Sequence, residues 1–237
     1  MRSRWNAWFG GVAGRWTIWR YNWLAHHKMV RTLERAREHA RGELLDVGCG
    51  SMPFAPIFEG FVTSYRGTDL AASRHIRDAR PIAFSRAEAL PFRAGSFDTL
   101  LALSMLNCLT EPVRMIEEAH RVLRPSGILL LEFEQMVPLH DEPLDYYRFT
   151  QPGAEYLLRR AGFEPLHYLP IGGLWARVGL STIGGLNAIN RGPTRVLTEL
   201  PVRALYVVIQ LVCELLDRLL FNPREVLSHL VIARRIP

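Results

Sequence analysis

The sequence predicts an α/β fold, a doubly wound and mostly parallel seven-stranded sheet with helices on both faces. Strand-like and helix-like patterns alternate from Glu43 onward, as parallel strands joined by crossover helices require. The first strand runs directly into a glycine turn, Gly48-Cys49-Gly50, and the second ends in an acid, Asp69. In open parallel sheets a ligand sits outside the carboxyl ends of the strands, where such a turn and such an acid would lie.

Seven segments supply the strands: 43–47, 64–69, 81–84, 97–103, 127–133, 164–169 and 226–234. Each is short; the fourth and fifth are the most apolar, the second ends in an acid and the third is the weakest. Between the fourth and fifth, Pro112 to Leu123 reads as an amphipathic helix with proline at its start, stopped by Arg124-Pro125-Ser126-Gly127. A further helix is expected over 154–161, closing on Gly162. The chain therefore divides into an N-terminal extension (1–41), a core (42–170), an apolar helical insert (171–225) and a last core strand (226–237).

The extension holds Trp5, Trp8, Trp16, Trp19 and Trp23 with Arg2, Arg4, Arg15 and Arg20. Trp16, Trp19 and Trp23 recur at helical spacing, and a second helix is expected from about His26 to Ala40. In the insert, 204–213 is uncharged, well short of the ~20 residues a spanning helix requires. Arg195, Glu199, Arg203, Gln210, Glu214 and Asp217 recur at three, four and seven, a narrow polar stripe on an otherwise apolar helix. Such a helix suits a core, a homodimer interface, a lid or a membrane surface. Tryptophan's preference for headgroups and arginine's for anionic lipid add weight to peripheral membrane contact.

The 237 residues are 49% apolar and 22% charged, the balance of a globular chain, with a net charge of +6. Lys28 is the only lysine, and no dense basic run tracks a phosphate backbone, so nucleic acid is not an expected partner. Cys49, Cys108 and Cys213 match neither a disulfide framework nor a metal-ligand spacing, and no metal is expected. Arg15 and Arg20 interrupt any signal-peptide core, which points to the cytoplasm, with the inner face of a membrane as the alternative site.

Four segments, in order and spacing, resemble the class I S-adenosylmethionine-dependent methyltransferases. They are Leu44-Leu-Asp46-Val-Gly48-Cys-Gly50-Ser51, Tyr65-Arg-Gly-Thr-Asp69, Ala87-Glu88-Ala-Leu-Pro-Phe92 running into Gly95-Ser-Phe-Asp98, and Arg121-Val-Leu-Arg-Pro-Ser-Gly127. The likeness covers about Gly42 to Phe163. It implies a Rossmann-like fold with S-adenosylmethionine as cofactor. Asp46, Gly48, Cys49 and Gly50 would flank the methionine part; Asp69 and Leu70 would hold the ribose. Ala87 and Glu88 would lie beside adenine, and Ser104 would line the cleft. Two positions depart from the family pattern: Met52 stands where a further glycine is usual, and Arg86 where an acid bonds the adenine amino group. Arginine has only donors and cannot accept from it. A dinucleotide G-x-G-x-x-G would need glycine at Pro53, which argues against a nicotinamide cofactor.

The loop after the fifth strand, Pro138 to Thr150, resembles one in small methyltransferases that accompany glycosyltransferases. His140 is the first choice of general base, oriented by Asp145 or Asp141; Tyr146, Tyr147 and Arg148 would shape an acceptor pocket. The structural alternative is that Thr150 caps the next helix and Tyr147 or Phe149 joins the core. Three functions follow: O-methylation of a small or lipid-linked, sugar-containing acceptor; methylation of a quinone or other isoprenoid lipid; or a non-catalytic methyltransferase-like binding domain.

Overall fold

The computed structural model describes residues 17–73, 75, 81–190 and 195–237, with the side chains of all of these but 195–197. Trp5, Trp8 and Trp16, with Arg2, Arg4 and Arg15, lie outside the described residues. Contacts separate two compact units. One draws on the segments up to Thr32, Met136–Pro138 and Pro170–Ser228; the other is Leu33–Gln135, Leu139–Leu169 and His229–Pro237.

Seven strands form one sheet: β1 (Glu43–Val47), β2 (Ser64–Asp69), β3 (Ala83–Phe84), β4 (Phe97–Ala102), β5 (Leu123–Glu134), β6 (Phe163–Ile171) and β7 (Ser228–Arg235). Their order is β3-β2-β1-β4-β5-β7-β6. The first five run parallel. The amides of Leu227 and Ile236 donate to the carbonyls of Ile171 and Gly162, so β7 runs against β6. The Met136 amide bonds the Leu227 carbonyl, which sets β7 against β5 as well. Strand order reverses between β1 and β4, the crevice where an open sheet takes its ligand.

Helix α1 (Trp23–Ala36) begins and ends earlier than the 26–40 span expected, and a 3-10 turn at Arg37–His39 completes it. A single turn, α2 (Ala55–Phe58), follows β1. In α3 (Pro112–Val122), Pro112 sits in the first turn, and Met115, Ile116, Ala119 and Val122 form the buried face. Thr150 caps α4 (Gln151–Arg160), its Oγ1 accepting from the Gly153 amide at 3.3 Å. Strand β5 starts four residues earlier than its apolar run, because Leu123 already pairs with Phe97 before a register shift leads into Ile128 opposite Thr99. The Arg124–Gly127 turn is thus absorbed into an irregular strand start. The core of this unit packs Leu45, Val47, Leu100, Leu129, Leu131 and Phe163 of the sheet with Met115, Ile116 and Leu158 of the helices.

The insert of the other unit folds as two helices, α5 (Leu174–Ile189) and α6 (Arg195–Leu219). Its core gathers Ile18, Trp23, Leu24, Ala176, Cys213 and Leu227. Among the described residues no helix is long and apolar enough to cross a membrane.

Candidate active site

The turn after β1 is built to hold its shape without help. The amides of Gly48 and Cys49 both donate to the Thr68 carbonyl, at 2.9 and 3.2 Å, which straps the turn to the end of β2. Gly48, Gly50 and Met52 all adopt left-handed backbone, with φ of 73°, 51° and 51°. At Gly48 and Gly50 this conformation carries no steric penalty; Met52 adopts it at some cost, which explains why glycine suits that position. Gly67 in β2 permits a different closeness: a Cβ there would lie 2.5 Å from Cys49 Sγ. Cys49 is accordingly a buried packing residue, and burial beside Asp46 and Asp69 pushes its thiol up to about 12.

Asp69 is clasped by backbone. Its Oδ2 accepts from the Gly50 amide and its Oδ1 from the Leu70 amide, each at 2.7 Å. Each oxygen retains a lone pair for a further donor. Asp46, also buried, accepts from Tyr65 Oη at 2.6 Å. Burial drives its carboxyl up to about 7, opposed by that hydrogen bond and reinforced by the charge of Asp69. At the end of β4, Ser104 is held at a φ of 49° by its amide bond to Glu132 Oε2, 2.7 Å. Beyond β3, Ala87 is buried, and Arg86 Nη2 donates to Glu88 Oε1 at 2.8 Å.

The loop after β5 brings a second group together. His140 Nε2 lies 3.3 Å from Glu134 Oε1 and 3.5 Å from Asp141 Oδ2, while Nδ1 lies 3.7 Å from Asp145 Oδ2. The Asp145 side chain is fully buried and already saturated. Arg148 grips both its oxygens, at 2.5 and 2.7 Å, and Asn107 Nδ2 and the His140 amide add bonds at 3.1 and 3.2 Å. The Arg148 hydrogen bonds hold the Asp145 carboxyl far below the usual carboxylate range. Asp145 thus fixes the loop, and of the three carboxylates beside the imidazole Glu134 lies nearest. Glu134 Oε2 is buried, 3.8 Å from Arg148 Nη1, and accepts no hydrogen bond. One ligand atom each from Glu134, His140 and Asp145 fall within 4.8 Å of one another, a spacing a metal ion could bridge. At Asp145 the guanidinium of Arg148 already supplies the positive charge.

Tyr146 and Tyr147 are exposed with ring centroids 6.4 Å apart, and Tyr147 neighbours Phe149 at 5.8 Å. Phe149 packs on the core. Cys108 Sγ lies 3.9 Å from Asp141 Oδ2, and burial with the surrounding carboxylates pushes its thiol up to about 11. Sequence reasoning missed Tyr65, Gly67, Asn107, Glu132 and Glu134. Glu132 and Glu134 were readable as two acids on one face of an apolar strand; the others carry no local signal.

Residues 45–131 match the family model of a methyltransferase domain. That segment, somewhat over a third of the chain, is a methyltransferase domain. The β3-β2-β1-β4-β5-β7-β6 order and the fold of the core support a class I S-adenosylmethionine-dependent methyltransferase.

The methyltransferase domain has curated relatives. One from Mycolicibacterium vanbaalenii, described as an uncharacterized methyltransferase, is 32% identical over 144 residues, 54% of this chain and 56% of the relative. A ubiquinone/menaquinone biosynthesis C-methyltransferase of Cereibacter sphaeroides is 29% identical over 149 residues, 60% of this chain and 58% of that one. The chain thus spans somewhat over half the length of these relatives. Among solved structures, the [4+2]-cyclase SpnF aligns with a TM-score of 0.57 at 21% identity, covering 92% of this chain and 85% of that one, which establishes shared fold alone.

S-adenosylmethionine is the family's cofactor, and the residues present fit it at two of its three parts. The left-handed turn carries no side chain at Gly48 and Gly50, where a Cβ would stand 3.2 Å from Met105 Sδ and 3.3 Å from His75 Cβ, and Asp69 offers fixed, unsaturated lone pairs to ribose hydroxyls. At the adenine end Arg86 offers no acceptor, and the Glu88 Oε1 that could serve is shared with Arg86.

Proposed function

We propose that the protein is an S-adenosylmethionine-dependent O-methyltransferase of a small or lipid-linked, sugar-containing acceptor, with His140 as general base. When bound, the cofactor supplies an electrophilic methyl group. Gly48, Cys49 and Gly50 with Asp46 border its methionine part, Asp69 and Leu70 its ribose, Ala87 and Glu88 its adenine, and Ser104 the cleft. The observation that carries the reading is the placement of His140 against Glu134 at the carboxyl end of β5.

Asp145 already holds four donors, so it has little need of a ring proton. Glu134 does, and Nε2–H turned toward Oε1 leaves Nδ1 as the basic nitrogen. Nδ1 takes the acceptor's hydroxyl proton, and Glu134, Asp141 and Asp145 stabilise the charge that develops on the ring. Positioning supplies most of the acceleration in an in-line displacement. Tyr146 and Tyr147 present the exposed aromatic faces on which a sugar ring stacks. Replacing His140 by alanine is expected to slow turnover about 100-fold or more while cofactor affinity stays within a factor of about two. A rate that survives the substitution would leave His140 a purely structural role.

A second reading, methylation of a quinone or isoprenoid lipid, draws on the similarity to the Cereibacter C-methyltransferase. Transfer of labelled methyl into a quinol rather than into a sugar lipid discriminates the two. Cofactor binding without transfer to any acceptor would favour a non-catalytic domain.

A further inference from the structure

Helix α6 is turned inside out. Its polar residues Gln210, Glu214 and Asp217 are buried, while Leu205, Val208, Leu211, Val212, Leu215 and Leu219 are exposed, Leu215 to 56% and Leu219 to 69%. The inward polar stripe is fully employed. Gln210 accepts from the Leu24 amide and donates to the Ile18 carbonyl, at 3.0 and 2.9 Å. Lys28 Nζ lies 2.7 Å from Glu214 and 3.3 Å from Asp217, and Asp217 also takes the amides of Gly173, Trp175 and Ala176. The helix therefore cannot roll its apolar face inward without stranding these groups. From Leu205 to Leu219 that face runs about 21 Å, too extensive for scattered surface leucines.

Charge indicates what covers it. The segments 1–32 and 170–228, which supply nearly all of this unit, hold 12 of the chain's 29 Lys and Arg but 4 of its 23 Asp and Glu; the remainder holds 17 against 19. All of the chain's positive excess lies in the sequence segments 1–32 and 170–228. Arg20, Arg203, Arg218 and Arg224 are exposed there, as are Trp19 and Tyr21. Arg203 and Arg218 are paired with Glu199 and Glu214 on the same helix, yet a second copy would still bring two sets of net-positive segments together. We infer that this unit docks on the surface of a bilayer containing anionic phospholipid, the apolar face of α6 lying at the headgroup–acyl boundary with arginines and aromatics at headgroup level. The docking requires no methyl transfer and stands apart from the proposed activity.

Flotation of the full chain with phosphatidylcholine vesicles, with and without phosphatidylglycerol, tests this, alongside sedimentation of the lipid-free protein. The expected result is a lipid-free monomer that binds anionic vesicles at least about 10-fold better than zwitterionic ones, with the preference falling as salt rises. Val212→Glu with Leu215→Glu, both outward already, should lower anionic binding about 10-fold or more without changing the circular dichroism. Tyr156→Glu, an exposed aromatic on α4, should leave it unchanged. Failure of the wild type to float, or flotation indifferent to the double substitution, overturns the inference. So does a lipid-free dimer that the double substitution dissociates, which would make the face an interface between copies.

Discussion

Asp46 stands at the amino side of the glycine turn with its carboxyl raised from 3.8 to about 7 by burial. An acid whose folded-state value lies above its unfolded value favours folding only while it is protonated. Its contribution is intact below pH 4 and is lost as pH rises through 7, at about 1.4 kcal/mol for each pH unit crossed between the two values. Asparagine keeps an acceptor for Tyr65 and never ionises. The melting temperature of Asp46→Asn is therefore expected to overtake the wild type progressively between pH 4 and pH 8, measured without cofactor; a constant difference across that range would contradict the assignment. His140 belongs to the same scale. Its residue type and loop were visible in the sequence, with Asp145 or Asp141 expected to orient it; both lie beside the ring, Arg148 and Asn107 also bind the Asp145 carboxylate, and Glu134 is a third acid there. Glu134 was readable only as one of two acids on a face of an apolar strand, and the fold is what places it beside the ring.

Elements were readable where their stabilisation is local. Strands β4 and β5 came from apolar runs, β1 and β2 from the glycine turn and the acid that follow them, α3 from its proline and its amphipathic pattern, and α4 from Thr150. Boundaries slipped where a distant partner decides them, as at Leu123 with Phe97. Helix α5 is the strongest case. Its own N-cap, Gly173, has no side chain to offer, and the cap comes from Asp217 on α6, which receives the amides of Gly173, Trp175 and Ala176 at 2.8, 3.0 and 3.3 Å. Sequence periodicity placed Asp217 in a polar stripe without telling which side of the helix faces inward. Asp217→Ala leaves the buried amides without their acceptor and Lys28 with Glu214 alone, and should cost about 3 kcal/mol. Denaturant unfolding, with hydrogen exchange at Gly173 and Trp175, measures it; a loss under about 1 kcal/mol would mean that water replaces the carboxylate.

At the scale of the whole molecule, the mostly parallel seven-stranded sheet and the glycine turn were legible because the parallel strands repeat one crossover unit and the turn needs glycines at fixed places. The uneven division of charge was present in the sequence too, yet it acquires meaning only once the fold assigns segments 1–32 and 170–228 to one unit. The outward face of α6 was not legible, since an apolar helix reads the same whether it lines a core or meets a lipid. The central claim rests on Asp69 clasped between Gly50 and Leu70. Calorimetric titration of the protein with S-adenosylhomocysteine, wild type beside Asp69→Ala, tests it most directly. The account predicts a single micromolar site in the wild type and a loss of affinity of about 100-fold in the variant, the size of two charge-assisted hydrogen bonds. Equal affinity in both, or no binding by a folded wild type, would contradict it.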